Sequence, residues 1–176
     1  DTGVAFPEYL NSLGIIPGIK VDKGAKELAG CSGEQVTEGL DGLRERLSEY
    51  YSLGARFAKW RAVITIADGI PSDTCIGVNA HALARYAALC QESAMVPIVE
   101  PEVLMDGEHS LETCYDITAK VLDCVFSELV NQKVMLNGII LKPNMIISGT
   151  DAANRADVAM VASATVDCLT AHVPKD

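Results

Sequence analysis

Four short runs rich in β-branched and apolar residues, at 15–21, 57–66, 96–100 and 138–145, are separated by longer stretches with helical periodicity. This alternation constrains the fold most: strand, helix, strand, helix with connections this long means parallel strands joined by right-handed crossovers. The runs also carry charge toward their C-terminal ends. Lys20 and Asp22 close the first, Lys59 and Arg61 fall in the second, Glu100 and Glu102 end the third, and Lys142 lies in the fourth. Within each of the first three, the i, i+2 spacing puts both side chains on one face of the strand. The lead residues Lys20, Lys59, Glu100 and Lys142 recur at separations of 39, 41 and 42 residues. An open doubly wound sheet and a (β/α)₈ barrel both fit the alternation, but no G-x-G-x-x-G turn follows a strand and no P-loop exists. One charge per βα unit, aimed from the ends of successive strands, is how a barrel builds a site. Unrelated charges on solvated strand ends are the plainer alternative.

The clearest helical stretch spans about 34–53, with Val36, Leu40, Leu43, Leu47 and Tyr50 as its apolar stripe. Ser32 and Gln35 have capping-box spacing at its start, and Gly54 suits the left-handed position at its end. Further helices are expected over about 73–93, 111–131 and 152–172. No low-complexity segment or linker divides the chain, so its 176 residues read as one α/β domain.

Composition narrows the partners. A net charge of −10 argues against nucleic acid, whose phosphates attract basic faces. No apolar run is long enough to span a membrane, and no basic and apolar leader opens the chain at Asp1. The six cysteines form no C-x-x-C pair and have no histidine at ligand spacing, which reads as free thiols in a reducing compartment. His81, His109 and His172 fall in a helix, a loop and a helix end, so no metal site is expected.

Lys142 interrupts the apolar run Asn137-Gly138-Ile139-Ile140-Leu141-Lys142-Pro143-Asn144-Met145. Burial there would depress its pKa, and a neutral lysine amine attacks carbonyls to form Schiff bases. A lysine that snorkels its head to water is the structural alternative. Lys59, two strands away in a barrel, would be a like charge acting on Lys142. Glu100 between them could move protons during imine formation. Lys20 and Arg61 have no obvious structural partners and suit a phosphate. These residues describe a Schiff-base enzyme acting on a phosphorylated carbonyl compound. Trp60 would point to the opposite face and reads as packing.

The segments GIKVDKG (18–24), LDGL (40–43), FAKWR (57–61), LARYA (83–87), VPIVEPE (96–102), DGEH (106–109) and LKPNM (141–145) resemble, in order and nearly without gaps, the class I fructose-bisphosphate aldolases. The resemblance implies a partial (β/α)₈ TIM barrel, roughly strands 3 to 6 with their helices. It also implies a carbon–carbon lyase splitting fructose 1,6-bisphosphate reversibly into dihydroxyacetone phosphate and glyceraldehyde 3-phosphate, without a cofactor. By motif, Lys142 is similar to the Schiff-base former and Lys59 to the residue assisting carbinolamine chemistry and C–C cleavage. Glu100 resembles the general acid/base and Glu102 a second carboxylate supporting it, while Lys20 and Arg61 resemble binders of the C6 phosphate. Small departures at Cys31-Ser32 and Val78 touch none of these.

Family members are about twice as long, so residues 1–176 read as a single incomplete domain from the middle of the barrel. Four strands cannot close it. Two open edges and an uncovered apolar inner face are expected, with little or no aldolase activity for these residues alone. A homotetramer in cytosol or plastid is implied for the full-length protein, any transit peptide lying upstream of Asp1. A metal-dependent aldolase lacks its histidines here, and the paired cations favour a bisphosphate over the substrates of other Schiff-base barrels. A catalytically silent fragment or paralogue acting as a binding partner is the remaining alternative.

Overall fold

A computed structural model of the chain describes residues 3–175. In chain order it contains α1 (Phe6–Ser12), β1 (Gly18–Lys20), β2 (Ala25–Glu27), β3 (Gln35–Thr37), α2 (Leu43–Ser52), β4 (Phe57–Ile64), α3 (Asp73–Glu92), β5 (Val96–Val103), α4 (Leu111–Asn131), β6 (Ile140–Leu141) and α5 (Val158–His172). The expected parallel sheet is present, ordered β1-β4-β5-β6. Its register sets Lys20 against Lys59, Arg61 against Glu100, and Ile98 against Ile140. The backbone N–H of Lys142 extends the last pairing by donating to the Val99 carbonyl at 2.8 Å.

Strand β4 explains how the two faces differ. Ala58, Trp60, Ala62 and Ile64 are buried, while Phe57, Lys59, Arg61 and Val63 alternate with them on the other side. The period of two thus assigns one face to the helices and one to the concave side. Trp60 is fully buried, as expected for packing, and its ring stacks on Tyr86 of α3 at 5.5 Å between centroids. The Tyr86 hydroxyl lies between two strand carbonyls, 2.6 Å from Ala58 O and 3.2 Å from Ile98 O. Leu83, Val99, Leu122, Val125 and Leu129 continue this core between the sheet and helices α3 and α4.

Capping residues position the long helices. Ser72, Ser110 and Asp157 each accept a hydrogen bond from the backbone N–H three residues on, at 3.1, 3.1 and 2.9 Å. The observed α4 matches its expected span, and α3 ends one residue early. Helix α5 begins at Val158 rather than near 152, because residues 146–157 form an irregular segment. There Gly149 lies so close to Gly107 that an added Cβ would come within 2.1 Å of its carbonyl oxygen.

The expected helix over 34–53 is corrected. Residues 35–37 pair antiparallel with 25–27 as a β-hairpin, and the helix starts only at Leu43. The supposed cap at Ser32 and Gln35 is therefore absent. The end is as expected: Gly54 has a positive φ of 108°, and Ala55 N–H reaches back to Tyr50 O at 2.9 Å. The first helix, α1, carried no sequence expectation.

The concave face departs from a purely apolar one. Phe57, Ile98 and Ile140 line the start of the strands, but Lys20, Lys59, Arg61, Glu100, Glu102 and Lys142 occupy their ends. The edges are open as expected: among the described residues β1 pairs only with β4 and β6 only with β5.

Tyr86→Phe should cost about 1–3 kcal/mol, since it removes a buried hydroxyl from a strand carbonyl without changing shape. Urea unfolding followed by the fluorescence of Trp60, the sole tryptophan, measures this. An unchanged midpoint would mean the Tyr86 hydroxyl holds neither strand.

Candidate active site

The ends of β4, β5 and β6 bring three of the expected residues together around one carboxylate. Lys142 Nζ donates to Glu100 Oε1 at 2.5 Å. Lys59 Nζ lies 2.8 Å from Glu100 Oε2, as an ionic contact rather than an aligned hydrogen bond. The Glu100 side chain is 3% exposed, against 32% for Lys59 and 53% for Lys142. Glu100 stands between the two lysines in strand order, as anticipated. Burial of Lys142 is not what is found: its ammonium reaches solvent on one side and Glu100 on the other.

Burial works to raise the pKa of Glu100. The Lys142 hydrogen bond, then the contact with Lys59, overcome it and hold the carboxyl below its ordinary value of 4.5. An anionic carboxylate can therefore persist in a buried setting, because two cations satisfy it.

The remaining cations are also partnered, which corrects the expectation for Lys20 and Arg61. Arg61 pairs through its guanidinium with Glu102, so Glu102 faces Arg61 rather than Glu100. Lys20 Nζ contacts Asp22 Oδ1 at 2.5 Å. Asp22 itself is 2% exposed, accepts from Gly24 N at 3.0 Å and lies 3.4 Å from Arg61 N. Four cations and three carboxylates thus share one face of a chain with net charge −10. An incoming anion could displace the carboxylates from Lys20 and Arg61, both of which are about half exposed.

Two supporting residues carried no role in the sequence. Asp22 was visible only as a charge spaced i, i+2 from Lys20, yet its buried carboxylate joins the ends of β1 and β4. Asn144, two residues after Lys142, accepts from Val103 N at 3.3 Å and donates to Thr118 Oγ1 at 3.0 Å. Its amide ties the segment after β6 to β5 and α4. Its place inside LKPNM was the only signal.

The six cysteines are free thiols, and no three His, Cys, Asp or Glu side chains among the described residues converge as metal ligands. Nor is any described helix long and apolar enough to cross a membrane.

Glu100→Gln tests the electrostatics directly. Because the folded pKa lies below the unfolded one, the unfolded chain binds more protons between them, and stability drops as pH is lowered through that window. The contribution is present above the ordinary carboxylate value and lost as pH falls through the lowered one. Urea midpoints measured from pH 7 to 3 should fall more steeply for the wild type than for Glu100→Gln, the curves converging in acid. Parallel curves would remove Glu100 from the acid sensitivity.

A family model described as fructose-bisphosphate aldolase class-I matches residues 1–176. A probable fructose-bisphosphate aldolase class 1 from Xanthomonas axonopodis pv. citri is 62% identical over 172 residues, covering 98% of this chain and 52% of that protein. Cytosolic fructose-bisphosphate aldolase 4 of Arabidopsis thaliana is 48% identical over 173 residues, covering 98% and 44%. Among solved structures, a ternary complex of fructose-bisphosphate aldolase from Plasmodium falciparum with TRAP and a small-molecule inhibitor superposes with a TM-score of 0.96. It is 48% identical, over 99% of this chain and 51% of the other. The chain spans about half the length of the curated relatives it matches.

Proposed function

Because this chain belongs to the class I fructose-bisphosphate aldolases, we propose that its protein cleaves fructose 1,6-bisphosphate reversibly to dihydroxyacetone phosphate and glyceraldehyde 3-phosphate through a Schiff base on Lys142. The observation that carries this reading is Glu100 bridging Lys59 and Lys142. Lys142 must lose a proton before its amine can attack the ketone carbon, and Glu100 Oε1 is in place to accept it. The carbinolamine hydroxyl then leaves as water, with a proton returned from Glu100, and the iminium forms. That iminium withdraws electrons as the C3–C4 bond breaks: Glu100 takes the C4 hydroxyl proton, the O–H electrons form the aldehyde carbonyl, and the C3–C4 pair leaves an enamine on Lys142. Lys59, on the other oxygen of Glu100, keeps a positive charge beside the reacting carbon throughout.

Arg61 and Lys20 would hold the C6 phosphate after exchanging their carboxylate partners for it. Glu102 and Asp22 then keep both cations aimed when the site is empty. No step needs a cofactor or a metal. The substrates are sugar phosphates, and neither nucleic acid nor a membrane enters the reading. A strand sheet open at both edges favours one barrel domain to which residues 1–176 contribute a part, with low activity for these residues alone. A homotetramer in the cytoplasm or a plastid completes the proposal. The cytosolic assignment is supported by relatives named as cytosolic aldolases in Arabidopsis thaliana and as the cytoplasmic isozyme in Pisum sativum. No observation favours a catalytically silent binding partner.

Borohydride trapping on the full-length protein with dihydroxyacetone phosphate tests the nucleophile. The adduct should lie on tryptic peptide 134–155, left uncut at Lys142-Pro143, and resist EDTA. An active enzyme with no adduct, inhibited by EDTA, would overturn the mechanism. Glu100→Gln should lower turnover by about 10²–10⁴-fold. Arg61→Ala should weaken substrate binding on the order of 10–100-fold through loss of a charged hydrogen bond. An Arg61→Ala enzyme with unaltered KM would sink the phosphate assignment.

A further inference from the structure

The β2–β3 hairpin closes over a buried carboxylate that the proposed reaction does not use. Glu34 is 3% exposed. Its Oε1 accepts from the Ser72 backbone N–H at 2.6 Å, and its Oε2 from the Ser72 hydroxyl at 2.7 Å. The side chains of Cys75 and Cys31 lie near enough to this carboxylate to act on its charge. Cys75 occupies the first turn of α3, its N–H on Ser72 Oγ at 3.1 Å and its thiol 3.5 Å from the carbonyl of Gln35, the residue after Glu34. Cys31 lies in the hairpin turn, where its carbonyl accepts from Glu34 N at 3.2 Å. Two thiols 44 residues apart in sequence therefore converge on one side chain.

Their settings differ in the way a redox pair requires. Cys31 is partly exposed and can meet a solute, whereas Cys75 is buried. Burial, then the charge of Glu34, pushes the Cys75 thiol up to about 11, so it is a poor first nucleophile. Cys114 and Cys168 also lie within electrostatic reach of one another, but both are buried and neither offers an entry for an oxidant.

We propose that Cys31 and Cys75 form a reversible disulfide that pins the β2–β3 hairpin to the start of α3. The oxidant is a peroxide. Cys31 sulfur attacks one peroxide oxygen, the O–O bond breaks, and a sulfenic acid and water form. Cys75 sulfur then attacks the Cys31 sulfur: the S–S bond forms, the S–O bond breaks, and the Cys75 proton leaves with the hydroxyl as a second water. Glu34, the carboxylate beside both groups, relays that proton. Two thiols give up two electrons and the peroxide is reduced. The bond would sit at the rim of the charged face, since Thr37 of the same hairpin donates its hydroxyl to Arg61 O at 2.7 Å. Nothing in it depends on the aldolase reading.

Peptide mapping decides the matter. The folded chain is treated with hydrogen peroxide, its free thiols are alkylated, and trypsin is applied without reductant. Cys31 falls in peptide 27–44 and Cys75 in peptide 62–85. The expected product joins the two, is two hydrogens lighter than their sum, and disappears on reduction with dithiothreitol. Cys31→Ser and Cys75→Ser, each retaining a hydroxyl toward Glu34, should both abolish it. Recovery of alkylated Cys75 beside Cys31 as sulfinic acid would overturn the proposal. So would a Cys31 link between two chains, or a Cys114–Cys168 product in its place. Should a serine variant fail to fold by circular dichroism, the presence or absence of the wild-type link still gives the answer.

Discussion

The buried carboxylate of Glu100, held between two ammonium groups from neighbouring strands, is the constraint on which the arrangement of the site depends. An unpaired charge at 3% exposure would cost several kcal/mol, so Glu100 is tolerable only while Lys59 and Lys142 stay in reach. That requirement is geometric. A slip of one residue in β5 would turn Glu100 toward Trp60 and Tyr86 and put Val99 on the charged face. The apolar face specifies the same register from the other side, since Val99 is fully buried and Glu100 is its neighbour. Core and site therefore agree on a single pairing of β4 with β5, and the agreement explains why eight consecutive residue pairs align there.

The same logic accounts for the other pairs. Four cations gathered on one face repel each other unless they are compensated. Asp22 and Glu102 neutralise Lys20 and Arg61, whose own side chains remain partly solvated. Phosphate, with more charge and more acceptor oxygens, competes well for a guanidinium already oriented by a carboxylate. The lysines on Glu100 face a different demand. Their partner is buried and shared, so it is held from two strands at once.

Much of this was legible because strands and helices follow local periodicity. The 111–131 pattern became α4 without adjustment, and the charged strand ends met because parallel strands of similar spacing bring equivalent positions together. The hairpin was not legible. Each of its strands is three residues long, and Val36 and Leu40 happen to continue the helical spacing of Leu43 and Leu47. What breaks the helix is Gly39 and Gly42, both with positive φ, at 131° and 63°. An added Cβ on Gly39 would meet the Lys23 backbone nitrogen at 2.9 Å, a contact with a segment the local pattern does not reveal. Partners for Lys20 and Arg61 were missed for a related reason. Asp22 and Glu102 read as members of their own strands' pairs, and only the fold shows that Arg61 looks across to Glu102.

The rim of the site is held differently from its floor. Below, apolar packing against α3 and α4 fixes the strands. Above, single polar side chains carry irregular backbone: Arg46 donates to Val21 O and Gly39 O, Asn79 to Gln35 O, and Asn144 bridges Val103 N and Thr118. Irregular segments need such partners, because their backbone groups have no ladder to satisfy them and cannot be buried alone. Apolar contacts tolerate small shifts, whereas a hydrogen bond loses much of its strength when its angle fails. The irregular segments beside Asp22, Arg61 and Lys142 are accordingly anchored by amides and a guanidinium group rather than by more leucine. That division is also why sequence periodicity located the floor and gave so little warning of the rim.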